Sequence, residues 1–160
     1  MAVPLKDLIG RVAQPGHLVW IGLRSARRAP VDVVTGARLT GGGLEGDRAR
    51  AGKRAVSLFQ VEHLAAIASY LGYPDPIDPR LLRRNLGIGG LNLLSLKGRE
   101  IAIGSQAVLR ITGPCAPCSR MEEAFGHGGY AAVRGHGGMT AEVVQSGAIA
   151  LNDSVIVLPE

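Results

Sequence analysis

The sequence predicts a mainly β protein, a β-barrel into which a few short helices are inserted. Short apolar runs are separated by turn residues along most of the chain, in keeping with its 23 Gly and 9 Pro. Only brief helical patterns interrupt these runs, and the regular βαβ alternation of a parallel sheet is missing. A chain of 160 residues is long enough to bury a core. We therefore expect one domain over residues 1–160, with its core at about 8–158.

The first forty residues are expected to form strands. Residues 8–12 are short and apolar, and residues 17–23 (HLVWIGL) are typical of a buried strand. Two more short strands are expected at residues 31–34 and 37–39, on either side of the turn residue Gly36.

A glycine-rich, basic stretch follows at residues 40–54 (TGGGLEGDRARAGKR) and predicts a loop. Glycine lets backbone N–H groups approach an anion closely, and the basic side chains supply charge. Arg48 and Lys53 are our candidates for binding a phosphate there, and a flexible surface loop is the alternative.

The strongest helical pattern lies at residues 60–71, where apolar side chains fall at helical spacing and Gly72 provides the stop. His63, near its start, is expected to face water. Asp78 and Pro79 form an N-cap and N1 pair for a second, short helix.

That short helix carries a cluster of arginines, Arg80, Arg83 and Arg84, and ends near Asn85. Guanidinium groups on neighbouring turns can bind phosphate or carboxylate through paired hydrogen bonds. A solvated basic face is the alternative.

The C-terminal half returns to the two-residue period of strands. Residues 98–112 read as a hairpin, with alternate apolar residues on both sides of a Gly104-Ser105 turn. Three short strands are expected at residues 140–144, 148–151 and 154–158.

Both cysteines lie in one turn, Cys115-Ala-Pro-Cys118, which follows the hairpin. Ser119 and Glu122 fit a capping box with Ser119 as the N-cap, which would place Cys118 just before that cap, where backbone N–H groups favour a thiolate. The spacing of the two cysteines is compatible with two kinds of site. The first is a thioredoxin-like dithiol. The second is a zinc-stabilised structural domain whose Cys₂His₂ site adds His127 and His136 to the cysteines.

The formal net charge of +5 and pI near 9.8 favour anionic partners. Aromatic residues make up 4% of the chain, too few for a platform on which bases stack, so nucleic acid is disfavoured. The alternative to a function centred on the cysteines is a basic module that binds nucleic acid. Its binding would depend on salt concentration and would not depend on Cys118. Neither a secretory leader nor a long apolar run is visible, so we expect a cytoplasmic protein that does not enter the membrane.

Several motifs in succession resemble the MOSC domain, the C-terminal domain of molybdenum cofactor sulfurases, which also occurs as small stand-alone proteins. They are GLEGD (43–47), RRNL (83–86), LKGREIAIG (96–104), CAPC (115–118), RGHGGMTAEVVQSGAI (134–149) and NDSVIV (152–157). The resemblance implies a β-barrel and a cysteine, matching Cys118, that binds the molybdenum cofactor (molybdopterin) as a metal ligand or carries sulfur as a persulfide. The cofactor-contacting Arg-x-Asn segment of the family falls on Arg83 and Asn85.

Two activities are compatible with the resemblance: reduction of N-hydroxylated substrates at molybdenum, or sulfur and cofactor transfer of a sulfurtransferase-like kind. The pyridoxal-phosphate-dependent domain that loads sulfur in the larger sulfurases is not part of this sequence, so a sulfur donor or redox partner would act from another chain. The sequence also departs from the family pattern after Asp47-Arg48. Relatives often carry a histidine there, and this chain has Ala49 and Arg50.

Overall fold

The computed structural model describes residues 2–160, which form eleven strands and four α-helices. Met1, which the predicted domain includes, lies outside the described residues. The strands are β1 (Gly16–Leu23), β2 (Asp32–Val34), β3 (Gly36–Thr40), β4 (Gly43–Leu44), β5 (Val56–Gln60), β6 (Leu86–Gly89), β7 (Glu100–Ile103), β8 (Ala107–Pro114), β9 (Met139–Gln145), β10 (Gly147–Ala150) and β11 (Ser154–Val157). The helices are α1 (Leu5–Leu8), α2 (His63–Leu71), α3 (Ser119–Phe125) and α4 (Gly129–Val133), with 3₁₀ turns at Pro79–Leu82 and Leu93–Leu96.

Seven strands close into a barrel, which confirms the predicted fold class. The order β11-β7-β8-β9-β5-β6-β1 returns to its start because β1 also pairs with β11. Only β5 and β6 run parallel; the other neighbours in the barrel are antiparallel. Closure leaves no open edge within the ring, and β2 attaches outside it to the end of β1.

The barrel interior is filled by alternate residues of its strands. In the hairpin β7–β8, Ile101, Ile103, Leu109 and Ile111 are buried, as the two-residue period predicts. They belong to one apolar cluster, which also takes in Leu18 of β1 and equivalent residues of the other strands.

A second, smaller core lies between the helices and the outer face of the barrel. Strand β5 joins the two cores: Leu58 belongs to the barrel cluster, and the neighbouring Phe59 belongs to the cluster formed with α2, α3 and α4. Every residue of β5 is buried for this reason. Among residues 2–160, no helix is both long and apolar enough to cross a membrane.

Most predicted elements are confirmed with small shifts at their ends. Helix α2 ends at Gly72, which adopts the left-handed conformation, and Asp78 caps the 3₁₀ turn that follows. The strand predicted at residues 8–12 is wrong. The chain there leaves α1 without pairing to a strand, and apolar side chains such as Leu5 and Ile9 are exposed rather than buried.

Candidate functional site

Two adjoining cavities open beside the end of β8, and together we call them the cationic cleft. The larger cavity, the loop lobe, has a volume of about 810 Å³ and is lined by the whole of residues 48–54. The smaller cavity, the thiol lobe, has a volume of about 450 Å³ and is lined by both cysteines. The lobes share the side chains of Arg24, Arg27, Arg48, Arg54, Arg84 and Cys115.

Nine cationic side chains line the cleft: Arg24, Arg27, Arg48, Arg50, Lys53, Arg54, Arg83, Arg84 and Arg120. Among residues 2–160, no Asp or Glu side chain lines either lobe. Such a concentration of like charge in a concave surface attracts anions and focuses the field on the cavity.

One carboxylate, Asp47, lies behind the wall of the cleft. Its side chain is 1% exposed and accepts hydrogen bonds from the Arg24 backbone N–H at 2.7 Å, from Arg24 Nε at 3.3 Å and from Arg24 Nη2 at 3.1 Å. The Ala49 N–H donates to it as well, at 3.0 Å. Burial alone would raise the pKa of Asp47, but the hydrogen bonds and charge of Arg24 outweigh it and lower that pKa. Asp47 therefore stays ionised and fixes the start of the loop.

Asn85 extends the same network into the barrel. Its side chain is fully buried, and its amide N–H groups donate to Gly22 O at 3.1 Å and to Asp47 Oδ1 at 3.0 Å. Its Oδ1 accepts from Ser57 N at 3.0 Å and from Ser57 Oγ at 3.2 Å. Every polar group of this amide has a partner within the protein, so Asn85 positions the loop and strands from below the cleft.

The two arginines before Asn85 point in different directions because Arg83 adopts the left-handed conformation, with φ of 55°. Arg83 Nη1 donates to Ala29 O at 2.5 Å, whereas Arg84 Nε donates to Gly137 O at 2.7 Å. Burial lowers the pKa of Arg83, and the charges of Arg120 and other nearby arginines lower it further. Burial also lowers the pKa of Arg84, which the proximity of Cys115 partly offsets.

The cysteine turn differs from the predicted one in its cap. Cys118 is itself the N-cap of α3, in an extended conformation, and Ser119 is the first helical residue. The predicted capping box is wrong, because Glu122 lies four residues after the cap and its carboxylate does not bind back to it. The carboxylate is directed instead toward the residues that follow α3. It accepts from Gly128 N at 2.9 Å and Tyr130 N at 3.0 Å, at the start of α4.

The two thiols differ in exposure and position. Cys115 is buried and borders both lobes, and its backbone N–H donates to Gly138 O at 2.8 Å. Cys118 is exposed and borders the thiol lobe. Cys118 therefore presents an exposed thiol to a cavity that is also lined by several guanidinium groups.

Both the sequence and the fold of this chain are similar to those of known proteins. The family model of the MOSC domain matches residues 35–156. The chain belongs to the MOSC domain family. Among curated protein sequences, none matches this chain.

Solved structures share the fold of this MOSC domain. The YuaD protein from Bacillus subtilis superposes with a TM-score of 0.77 at 20% identity, covering 89% of this chain and 94% of that one. YiiM from Geobacillus stearothermophilus gives a TM-score of 0.72 at 18% identity, covering 91% of this chain and 76% of that one. YiiM from Escherichia coli gives 0.69 at 19% identity, covering 90% and 70% respectively. MOSC domains are associated with the molybdenum cofactor at the level of the family.

In this MOSC domain the cleft brings together most of the residues predicted from the sequence. Cys118 and Arg83 line the thiol lobe, Lys53 lines the loop lobe, and Arg48 lines both. Asn85 is the exception, since it lies beneath the cleft rather than in its lining.

Metal chemistry of the zinc-finger kind finds no support in the geometry. Within residues 2–160, no group of three or more His, Cys, Asp or Glu side chains is arranged to hold a metal ion. His136, one of the predicted zinc ligands, packs instead against His63, with ring centroids 4.5 Å apart. His63 was expected to face water, but its Nδ1 and that of His136 are buried without a hydrogen-bond partner.

Three residues of the site were not predicted from the sequence as functional. They are Arg24, its ion-pair partner Asp47, and Arg120. Arg120 had a local signal, because it lies two residues after Cys118 on the helix that presents the thiol. Arg24 had none, since its partner is 23 residues away along the chain.

Proposed function

We propose that the cationic cleft binds the molybdenum cofactor, with Cys118 as the protein ligand to the metal. The observation that carries the proposal is an exposed thiol opening into a cavity lined by seven cationic side chains. Thiolate sulfur is a soft ligand that suits molybdenum, and molybdopterin offers a phosphate and polar pterin edges to guanidinium groups.

The residues of the cleft fit such a group in charge. The loop lobe carries Arg48 and Lys53 at its surface, where they would hold the phosphate. Arg83 lies on the side of the thiol lobe and would hold the cofactor near the metal. Asn85 would act as a positioning residue, because its hydrogen bonds to Asp47 and Ser57 hold the loop and strands that form the wall.

When bound, the cofactor would supply two-electron redox chemistry for the reduction of N-hydroxylated substrates. The protein itself would fix the sulfur ligand, balance the negative charge of the phosphate and pterin, and orient the substrate. Electrons would come from a redox partner protein on another chain.

Transfer of sulfur is the second candidate, and the exposure of Cys118 favours it. A persulfide on Cys118 would be accessible to a donor or acceptor protein, and the surrounding arginines would stabilise its negative charge.

Both candidates are tested by analysing the protein after expression in a host that makes the cofactor. We expect molybdenum and pterin to copurify with the wild type, to be lost from Cys118→Ser and to be kept by Cys115→Ser. Lys53→Gln should reduce pterin retention, and Lys97→Gln, an exposed lysine outside the cleft lining, is its matched control.

Mass spectrometry after exposure to a persulfide donor distinguishes the second candidate. Gain of one sulfur atom on Cys118, with transfer to an acceptor, supports the carrier function. Absence of molybdenum from the wild type, together with absence of a transferable persulfide, would contradict both candidates.

A further inference from the structure

A third cavity adjoins the thiol lobe, and only the wall that the two share, which includes Arg83, is used by the proposed function. This side groove has a volume of about 400 Å³ and shares Arg83, Arg120 and Met121 with the thiol lobe. It contains none of the loop residues 48–54, so it lies apart from the candidate phosphate site. Since the shared residues form a common wall, a molecule in the groove is adjacent to the compartment that holds Cys118.

The lining of the side groove is divided between apolar and cationic surface. Pro30, Val31, Leu81, Met121 and Ala124 form an apolar part. Leu81 is 40% exposed, so its side chain offers apolar surface to a molecule in the groove. The cations Arg83 and Arg120 lie at the wall shared with the thiol lobe.

The charge at that wall is not balanced within the protein. Arg120 takes part in none of the five ion pairs formed by residues 2–160. Arg83 and Arg120 both line this wall, so two side chains of like charge border the same cavity. Burial first, and then the charge of Arg120, lower the pKa of Arg83. Asp78 also lines the groove, but its carboxylate is already bound to Arg80 at 2.8 Å. An anion between Arg83 and Arg120 would balance their charge.

We propose that the side groove is the substrate subsite and that it selects a small amphipathic anion. The apolar body of the substrate would lie on Leu81 and Met121, and its phosphate or carboxylate would lie between Arg83 and Arg120. The proposal rests on the proposed function, because it assumes that the reaction takes place in the thiol lobe.

Binding to the full-length protein, purified without cofactor, tests the proposal directly. The probes are 1-naphthyl phosphate and 1-naphthoate, with 1-naphthol and inorganic phosphate as the two half-probes. We expect one or both aromatic anions to bind more tightly than either half-probe by about tenfold. The gain over 1-naphthol comes from a charge-assisted hydrogen bond, and the gain over inorganic phosphate comes from burial of the apolar ring. The two anions also show whether a phosphate or a carboxylate fits better.

Variants then locate the bound anion. Arg120→Gln should weaken the aromatic anions by about tenfold, and Leu81→Asp should abolish their binding by placing a carboxylate in the groove. Lys97→Gln should have no effect. If Lys53→Gln weakens the aromatic anions as much as Arg120→Gln does, the anion lies in the loop lobe and the proposal is wrong. Equal binding of 1-naphthyl phosphate and inorganic phosphate, with no gain for 1-naphthoate over 1-naphthol, would also overturn it.

The variant Cys118→Ser tests the cofactor site independently of the side groove. This variant should lose molybdenum and still bind the aromatic anions. If the protein loads molybdenum but does not bind the aromatic anions selectively, only the proposed substrate subsite is wrong. If the protein binds the aromatic anions selectively but does not load molybdenum, only the proposed function is wrong.

Discussion

Replacing Asp47 with asparagine would remove the buried negative charge that holds Arg24 in place. Asparagine has nearly the same shape and keeps an oxygen that can accept the hydrogen bond from Asn85. It loses the charge opposite a guanidinium group whose side chain is 18% exposed. It also replaces Oδ2, which accepts from Arg24 Nη2 and Ala49 N, with an amide nitrogen that cannot accept. Removing one partner of a buried ion pair costs about 3 kcal/mol or more, because the other charge is left unpaired.

We take the lower end of that range for Asp47→Asn, since Arg24 keeps some contact with water. A loss of about 3 kcal/mol corresponds to a fall of about 10 °C in Tm for a domain of this size. Urea is the suitable denaturant because it does not screen charge. Trp20 is the single tryptophan and packs edge-on against Phe59 with ring centroids 5.5 Å apart, so its fluorescence reports unfolding.

Asp78→Asn provides the matched control. Asp78 also binds an arginine with several hydrogen bonds, but the side chains of Arg80 and Asp78 are 61% and 40% exposed. An exposed pair contributes less than about 1 kcal/mol, and asparagine is as good an N-cap as aspartate. If Asp47→Asn and Asp78→Asn cost the same, the reasoning from burial is refuted.

The pH dependence of Asp47 gives the same test a second readout. Because the folded state lowers the pKa of Asp47, its contribution is fully present above the ordinary aspartate pKa and is lost as the pH falls through the lowered value. Asp47→Asn should therefore show a shallower loss of stability in acid than the wild type. An unchanged acid profile would contradict an ionised, stabilising Asp47.

Two further predictions concern the loop that supports the cysteine turn and the histidine pair. Gly138 has φ of +94° and a Cβ there would collide with the carbonyl oxygen of Leu58, so Gly138→Ala should cost about 3 kcal/mol in urea denaturation. Gly135→Ala, with φ of +83° and open space, should cost only about 1 kcal/mol, and equal costs would contradict the steric reason. Burial, and then the nearby His136, lower the pKa of His63, so the free energy of unfolding should fall as the pH drops from about 6.5 toward the lowered pKa. His63→Asn should flatten that dependence, and an identical pH profile would disprove it.

The fold was largely predictable because burial in a barrel imposes a two-residue period. The hairpin at Ile101–Ile103 and Leu109–Ile111 shows that period clearly, and α2 has both helical spacing and a glycine stop. Elements inside glycine-rich stretches were missed, such as β4 and α4. They are held by tertiary contacts: β4 pairs with β3, and the start of α4 is bound by Glu122. Local propensity carries no signal for either contact.

The candidate site was predictable in its parts but not in its geometry. The run Arg83-Arg84-Asn85 looked like one surface for gripping an anion. The structure separates the three side chains, because Arg83 adopts a left-handed conformation that non-glycine residues seldom take. Asn85 is turned into the barrel and Arg84 is held against Gly137. Such an arrangement depends on partners far along the chain, which no local pattern reveals.

The position of Asp47 explains how so many arginines can line one cleft without disordering it. Its carboxylate accepts hydrogen bonds from Arg24, Ala49 and Asn85. These bonds fix the backbone where residues 48–54 begin. A carboxylate placed within the cleft would instead have neutralised the arginines and blocked an incoming anion. Because Asp47 acts on the scaffold, the other cationic side chains that line the cleft form no ion pair among residues 2–160. Rigidity and positive charge are thus supplied by different residues of the same loop.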